Sequence, residues 1–187
     1  MAEIVFSGGS RQPLVFEANA PLPGNLNFFL GKVVANQVQV YSEIRLPNVW
    51  PGIDLQYVHT ENGLKGVFTI YPGADPGAIQ LKYLSSGDLS VREDGALVVE
   101  TTGGQWIEQA PHAYQVVNND LVPVPVRYRI SEGKTVNFEI VGEYALDLPL
   151  VIDPLLSLSY STYIGGIRKE EARGIVVLDD GSVIITG

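Results

Sequence analysis

Glycine and proline punctuate this chain so closely that long helices have almost nowhere to form. There are 20 Gly and 12 Pro in 187 residues, and the longest stretch free of both runs from Lys32 to Leu46. A helical bundle or an ordinary α/β fold needs several windows of that length, because proline breaks a helix interior and glycine weakens it. Within that single window Val38, Val40, Ile44 and Leu46 alternate with Gln37, Gln39, Glu43 and Arg45. A period of two places the apolar set on one face of a strand.

The same alternation recurs downstream. Ile79, Leu81 and Tyr83 interleave with Gln80 and Lys82, and Val126, Tyr128 and Ile130 with Arg127 and Arg129. Val136, Phe138 and Ile140 interleave with Asn137 and Glu139. Turn signals separate the runs: Ser86-Gly87-Asp88, Glu93-Asp94-Gly95, Thr102-Gly103-Gly104, Asn118-Asn119-Asp120 and Glu132-Gly133-Lys134. Each reads as a hairpin connection. Residues 79–141 therefore predict a meander of short antiparallel strands, and the chain an all-β fold, an antiparallel sandwich-like domain. Pro125 is expected on a sheet edge or with its missing donor outward. Helical material is confined to single turns, one capped by Asp75 with Pro76 first and another within residues 167–173.

A boundary is expected near Asp153-Pro154, dividing a sandwich domain (1–154) from a tail (155–187). The tail reads as a hairpin around Asp179-Asp180-Gly181, with Ile175, Val177, Val183 and Ile185 as candidate strand-pairing residues. Two strands alone bury too little to be stable in water. The tail is expected to dock, to pair with another chain, or to continue in a longer parent protein.

Several functional classes are disfavoured by charge and composition. Twelve basic against 21 acidic residues give a net charge of −9, which repels phosphate backbones and anionic headgroups. No apolar run approaches a membrane-spanning length, so neither nucleic-acid binding nor membrane insertion is expected. There is no cysteine, hence no disulfide and no thiolate chemistry. The first residues carry no export signal, which fits either a cytoplasmic protein or one whose signal has been removed.

At four places the residues become familiar. Asn48-Val-Trp-Pro-Gly-Ile-Asp-Leu-Gln-Tyr57, Tyr71-Pro-Gly-Ala-Asp-Pro76, Ala110-Pro-His-Ala-Tyr-Gln115 and Pro149-Leu-Val-Ile-Asp-Pro154 occur in an order and spacing that resemble the conserved domain preceding the repeats of SBBP proteins. This bacterial family is named for a seven-bladed β-propeller. The tail, from Tyr160-Ser-Thr-Tyr-Ile-Gly-Gly166 to Ile185-Thr-Gly187, resembles the first of those repeats, a partial blade. Gly66-Val67, Ala145, Leu178 and Ser182 depart from the family's pattern. The resemblance implies a secreted or cell-surface protein with no known enzyme activity, and a chain that is part of a longer one.

Candidate chemistry is sparse. His59 and His112 lack the paired spacing of a metal site. No Gly-x-Ser-x-Gly elbow or phosphate loop occurs. Asp54, Asp75, Asp147 and Asp153 could supply the two carboxylates of a glycoside hydrolase, but Asp before Pro ordinarily organises a turn. Loop carboxylates allow weak Ca2+ association at most, so no cofactor is expected. Trp50 reads as a core residue, and Trp106, flanked by Gln105 and Glu108, as a surface one. Trp106, His112 and Tyr114 are the candidate ligand-binding residues, of a kind that stacks on sugar rings; the plainer reading is that the large aromatics fill a sandwich core. The leading expectation is a non-catalytic interaction module that pairs edge strands with a protein partner or a second copy. A carbohydrate-binding module with a glycan ligand, and a domain of a secreted hydrolase, remain the alternatives.

Overall fold

The structure, a computed structural model, describes residues 3–9, 15–30, 33–60, 63–85, 87–101, 104–153, 174–177 and 183–186. Its strands are β1 (Glu3–Ser7), β2 (Glu17–Leu30), β3 (Val33–Trp50), β4 (Ile53–Thr60), β5 (Gly63–Ile70), β6 (Gln80–Leu84), β7 (Leu89–Val91) and β8 (Leu97–Thr101). There follow β9 (Gly104–Glu108), β10 (His112–Val117), β11 (Asp120–Val124), β12 (Val126–Ser131), β13 (Thr135–Ile140), β14 (Leu150–Asp153), β15 (Gly174–Val177) and β16 (Val183–Thr186). The one helical turn among the described residues is 3-10, Pro76–Ala78, where the Asp75 carboxylate accepts from the Gly77 N–H at 2.9 Å. No described helix is long and apolar enough to cross a membrane.

The all-β expectation is met, but the meander is not. The strands of residues 79–141 divide among three antiparallel sheets, ordered β1-β6-β13-β12, β11-β10-β14-β5-β4-β3-β2 and β7-β8-β9. Local hairpins form where turn chemistry places them: β7–β8, β8–β9, β10–β11 and β12–β13. Gly87-Asp88, however, connects strands of different sheets, and β14 inserts between β10 and β5 instead of closing a meander. Pro125 lies between β11 and β12, where the chain crosses from the seven-stranded to the four-stranded sheet. Without an N–H it cannot continue the ladder, and its carbonyl accepts from Val141 and Gly142 instead.

The chain divides into two compact units, Met1–Pro21 with Tyr41–Tyr160 and Leu22–Val40 with Ser161–Gly187. In the first, the inner faces of the two larger sheets are joined by a run of rings. Phe6 and Trp50 lie 5.6 Å apart, Trp50 and Phe68 6.1 Å, Phe68 and Phe138 5.4 Å, and Phe138 and Tyr128 5.6 Å. Ile53, Leu55, Ile79, Leu81, Val136, Leu150 and Ile152 fill the same core. This is a sandwich-like arrangement, with alternate residues of each strand turned inward. Gly52 makes the β3–β4 turn at φ +71°, where a Cβ would meet that of Ala74 at 2.9 Å. The motif Trp-Pro-Gly-Ile-Asp thus needs its glycine for space and for backbone angle. In the second unit the Asn27 side-chain oxygen accepts from the Gln37 N–H at 2.8 Å. There too β15 and β16 form a two-stranded sheet.

Gln115 holds the connection between β13 and β14. Its amide is buried; Nε2 donates to Ala145 O at 2.8 Å and Leu148 O at 3.1 Å, and Oε1 accepts from Ala145 N at 2.7 Å. Gln115→Leu leaves those groups without partners, and is expected to destabilise by about 2–4 kcal/mol. Urea unfolding of the two proteins measures the difference; equal midpoints would show that the loop is held by other contacts.

Candidate functional site

Two neighbourhoods contain the polar groups of interest, one on the outer face of the seven-stranded sheet and one in the core. The outer site starts from the β10–β11 turn. Asn118 and Asn119 both take positive φ, 51° and 71°, as a two-residue type I′ hairpin requires. That turn fixes the register: Tyr114 faces Pro123 on β11 and Val151 on β14, and His112 faces Asp153. Directly opposed residues share a face, so His112, Tyr114, Val151 and Asp153 lie together on the outer one. Lys65 joins them from β5, an even number of residues from Thr69, which opposes Val151.

Lys65 Nζ lies 2.5 Å from Asp153 Oδ2, with the side chains 26% and 16% exposed. Asp153 Oδ1 is buried and meets no hydrogen-bond donor among the described residues. Next to this pair His112 is exposed, and borders an open groove of about 270 Å³ with Pro111, Pro123, Val124 and Pro125. The groove is apolar and shallow.

Trp106 does not belong to this face. It is on β9, in another sheet, half-buried, with its ring edge-on to Tyr83 at 6.2 Å. Its indole N–H is buried, with no acceptor among the described residues. Trp106 is packed against the core, apart from His112 and Tyr114. The side of β9 that carries Trp106 and Glu108 turns toward the core.

The inner neighbourhood centres on Glu108, two residues beyond Trp106 on the same face of β9. It is 2% exposed. One oxygen accepts from the Tyr83 hydroxyl at 2.6 Å, and the other lies 3.5 Å from the Tyr128 hydroxyl. Burial pushes the carboxyl up to about 7, and the two phenols only partly offset that. Burial likewise raises Tyr83 and Tyr128, and the nearby Glu108 charge adds to it. Desolvation dominates because no cation faces Glu108 among the described residues.

The other acids have structural partners. Burial raises Asp54, but the Asn48 N–H, the Arg45 guanidinium and the Tyr71 hydroxyl outweigh it and hold the carboxyl below its ordinary range. Arg45 reaches Asp54 Oδ2 at 2.6 Å and Glu17 Oε2 at 2.9 Å. Asp75 caps the 3-10 turn, and Asp147 is exposed in the β13–β14 connection. Among the described residues no group of three or more His, Cys, Asp or Glu could hold a metal ion.

The expected strand-pairing residues pair with one another. Ile175 is in register with Ile185, and Val177 with Val183, across β15–β16. Their Asp-Asp-Gly connection and the turn expected within residues 167–173 lie outside the described residues.

Sequence reasoning missed Lys65 and Glu108. Lys65 follows a Gly-bearing turn, and Glu108 closes a stretch rich in polar residues, so both read as rim charges. The available signal was negative: each sits in a strand at a parity shared with half-buried or buried neighbours.

A family model described as a domain of unknown function (DUF7948) matches residues 2–155. No curated protein and no solved structure matches the chain.

Proposed function

The chain belongs to the DUF7948 family of domains of unknown function, and from that premise we propose that it is a non-catalytic interaction module acting by β-strand pairing. The observation that carries the reading is the β15–β16 pair, among the described residues a two-stranded sheet of four-residue strands. A sheet that small gains stability by accepting further strands. Neither strand contains proline, so the alternate N–H groups that face away from the β15–β16 ladder can donate to a further strand.

The edges of the seven-stranded sheet suit the task less well. The two-residue β10–β11 loop makes Val117 and Asp120 the closing hydrogen-bonded pair. Leu121 and Pro123 then direct their backbone groups to the open side, and Pro123 has no donor to offer. At the other edge β2 contains Pro21 and Pro23. Proline on an edge is a common block to strand addition.

The setting we propose is an exported or cell-surface protein in which this domain precedes propeller repeats. The likeness of residues 160–187 to an SBBP repeat supports it. In a longer chain the partner strands come from the following repeat; in this chain alone they come from a second copy. Light scattering over a dilution series tests the reading. The 187-residue chain is expected to dimerise with concentration, and Val176→Pro, which removes a donor within β15, to stay monomeric. A chain that is monomeric throughout, or a variant that dimerises equally well, would sink it.

A further inference from the structure

We propose that Lys65 and Asp153 are joined by a side-chain amide, an isopeptide bridge tying β5 to β14. The inference goes beyond strand pairing and does not depend on it. Three observations carry it. The first is approach: the Lys65 Nζ and an Asp153 carboxylate oxygen are in direct contact. The second is desolvation. Both side chains are mostly covered, and Asp153 Oδ1 is buried without a donor among the described residues. A carboxylate oxygen in that position is costly. Amide formation removes the charge and one of the two oxygens, leaving a neutral carbonyl that tolerates burial better.

The third observation is the frame. The two residues project from neighbouring strands of one sheet, and β14 is hydrogen-bonded to β5 through Leu150, Val151 and Ile152. The pair is therefore held in place before any reaction, the condition under which an intramolecular step gains most. Val58 opposes Lys65, and Val151 precedes Asp153 by two. These apolar, half-buried neighbours restrict water around the pair.

The step balances without a cofactor. A proton passes from the Lys65 ammonium to the Asp153 carboxylate, leaving amine and acid. The Nζ lone pair attacks Cγ and a C–N bond forms. The nitrogen loses a further proton, a Cγ–O bond breaks, and the departing hydroxyl leaves as water. His112, opposite Asp153 on β10, is placed on the same face to relay the protons. The product closes a covalent ring from residue 65 to residue 153, so tension applied through the segment after β14 is transmitted to β5 as well as through hydrogen bonds.

Intact mass under denaturing conditions tests it on the full chain, after purification and incubation from mildly acidic to neutral pH. The protein is expected to be lighter than its sequence by one water. Lys65→Arg keeps the cation but cannot form the bond, and is expected at its full sequence mass. Proteolysis of the native sequence should release one branched peptide containing both residues. A native chain at full mass would overturn the proposal. So would a Lys65→Arg chain that is equally light, because an Asp-Gly succinimide such as one at Asp94-Gly95 also loses water.

Discussion

Raising the pH from acid to neutral is expected to cost the fold about 3 kcal/mol through Glu108 alone, and Glu108→Gln is expected to abolish that loss. The carboxyl ionises near 4.5 in an unfolded chain and near 7 in the folded one. Below the lower value both states hold the proton and Glu108 carries no penalty. Between the two the unfolded chain releases its proton and the folded chain does not. Stability then falls by roughly 1.4 kcal/mol per pH unit. Above about 7 both states are ionised, and the penalty stays constant. The substituted glutamine has no proton to lose and preserves the shape of the site. The two proteins should therefore match in acid and diverge steadily toward neutral pH, with the variant the more stable. Asp54 does not confuse the reading. Its carboxyl is held down, so its contribution is lost only as pH falls through the acid range, below the Glu108 window. Urea midpoints at a series of pH values measure the divergence. Parallel curves would mean that water or a cation reaches Glu108 in solution.

Trp50→Ala is expected to remove about 3–5 kcal/mol, a large share of the roughly 5–15 kcal/mol typical of a folded domain. Trp50 is fully buried and stands between Phe6 on one sheet and Phe68 on the other. Its indole N–H also donates to the Ser7 carbonyl at 2.9 Å, fastening β1 to the core. Alanine opens a cavity that two sheets cannot close without moving together, and leaves the Ser7 carbonyl without that donor. Trp50→Phe retains most of the packing but not the hydrogen bond, and should cost less than half as much. Thermal or urea unfolding followed by circular dichroism checks both. An alanine variant within about 1 kcal/mol of the native chain would show that Trp50 does not join the sheets.

The sequence made the strands legible because their chemistry is local. A period of two, and turns such as Asn118-Asn119 and Glu132-Gly133-Lys134, state where a strand runs and where it reverses. The partition into sheets is not local. Nothing in Val122-Pro-Val-Pro-Val126 states that the chain changes sheet at Pro125; that follows from burying Val124 on one layer and Tyr128 on the other. The candidate sites divide in the same way. His112 and Tyr114 share a face because they are two apart on one strand, and in the tail β15 pairs with β16. Glu108 could not be recognised as buried until Tyr83 and Tyr128 were brought to it from β6 and β12. Lys65 and Asp153 meet only because β14 inserts beside β5, a long-range choice that no short window encodes. Trp106 was misplaced for a related reason. Of its polar sequence neighbours, Gln105 lies on the opposite face of β9, and Glu108, on the same face, is itself buried.

Strand pairing by the tail is the centre of the account, and amide hydrogen exchange on residues 174–177 and 183–186 tests it most directly. The measurement follows the full chain across a wide range of protein concentration, with the core strands as the internal reference. Protection of those amides is expected to rise with concentration, while protection in β4, β5 and β14 stays unchanged. Protection in the tail that is the same at every concentration would contradict strand pairing between molecules.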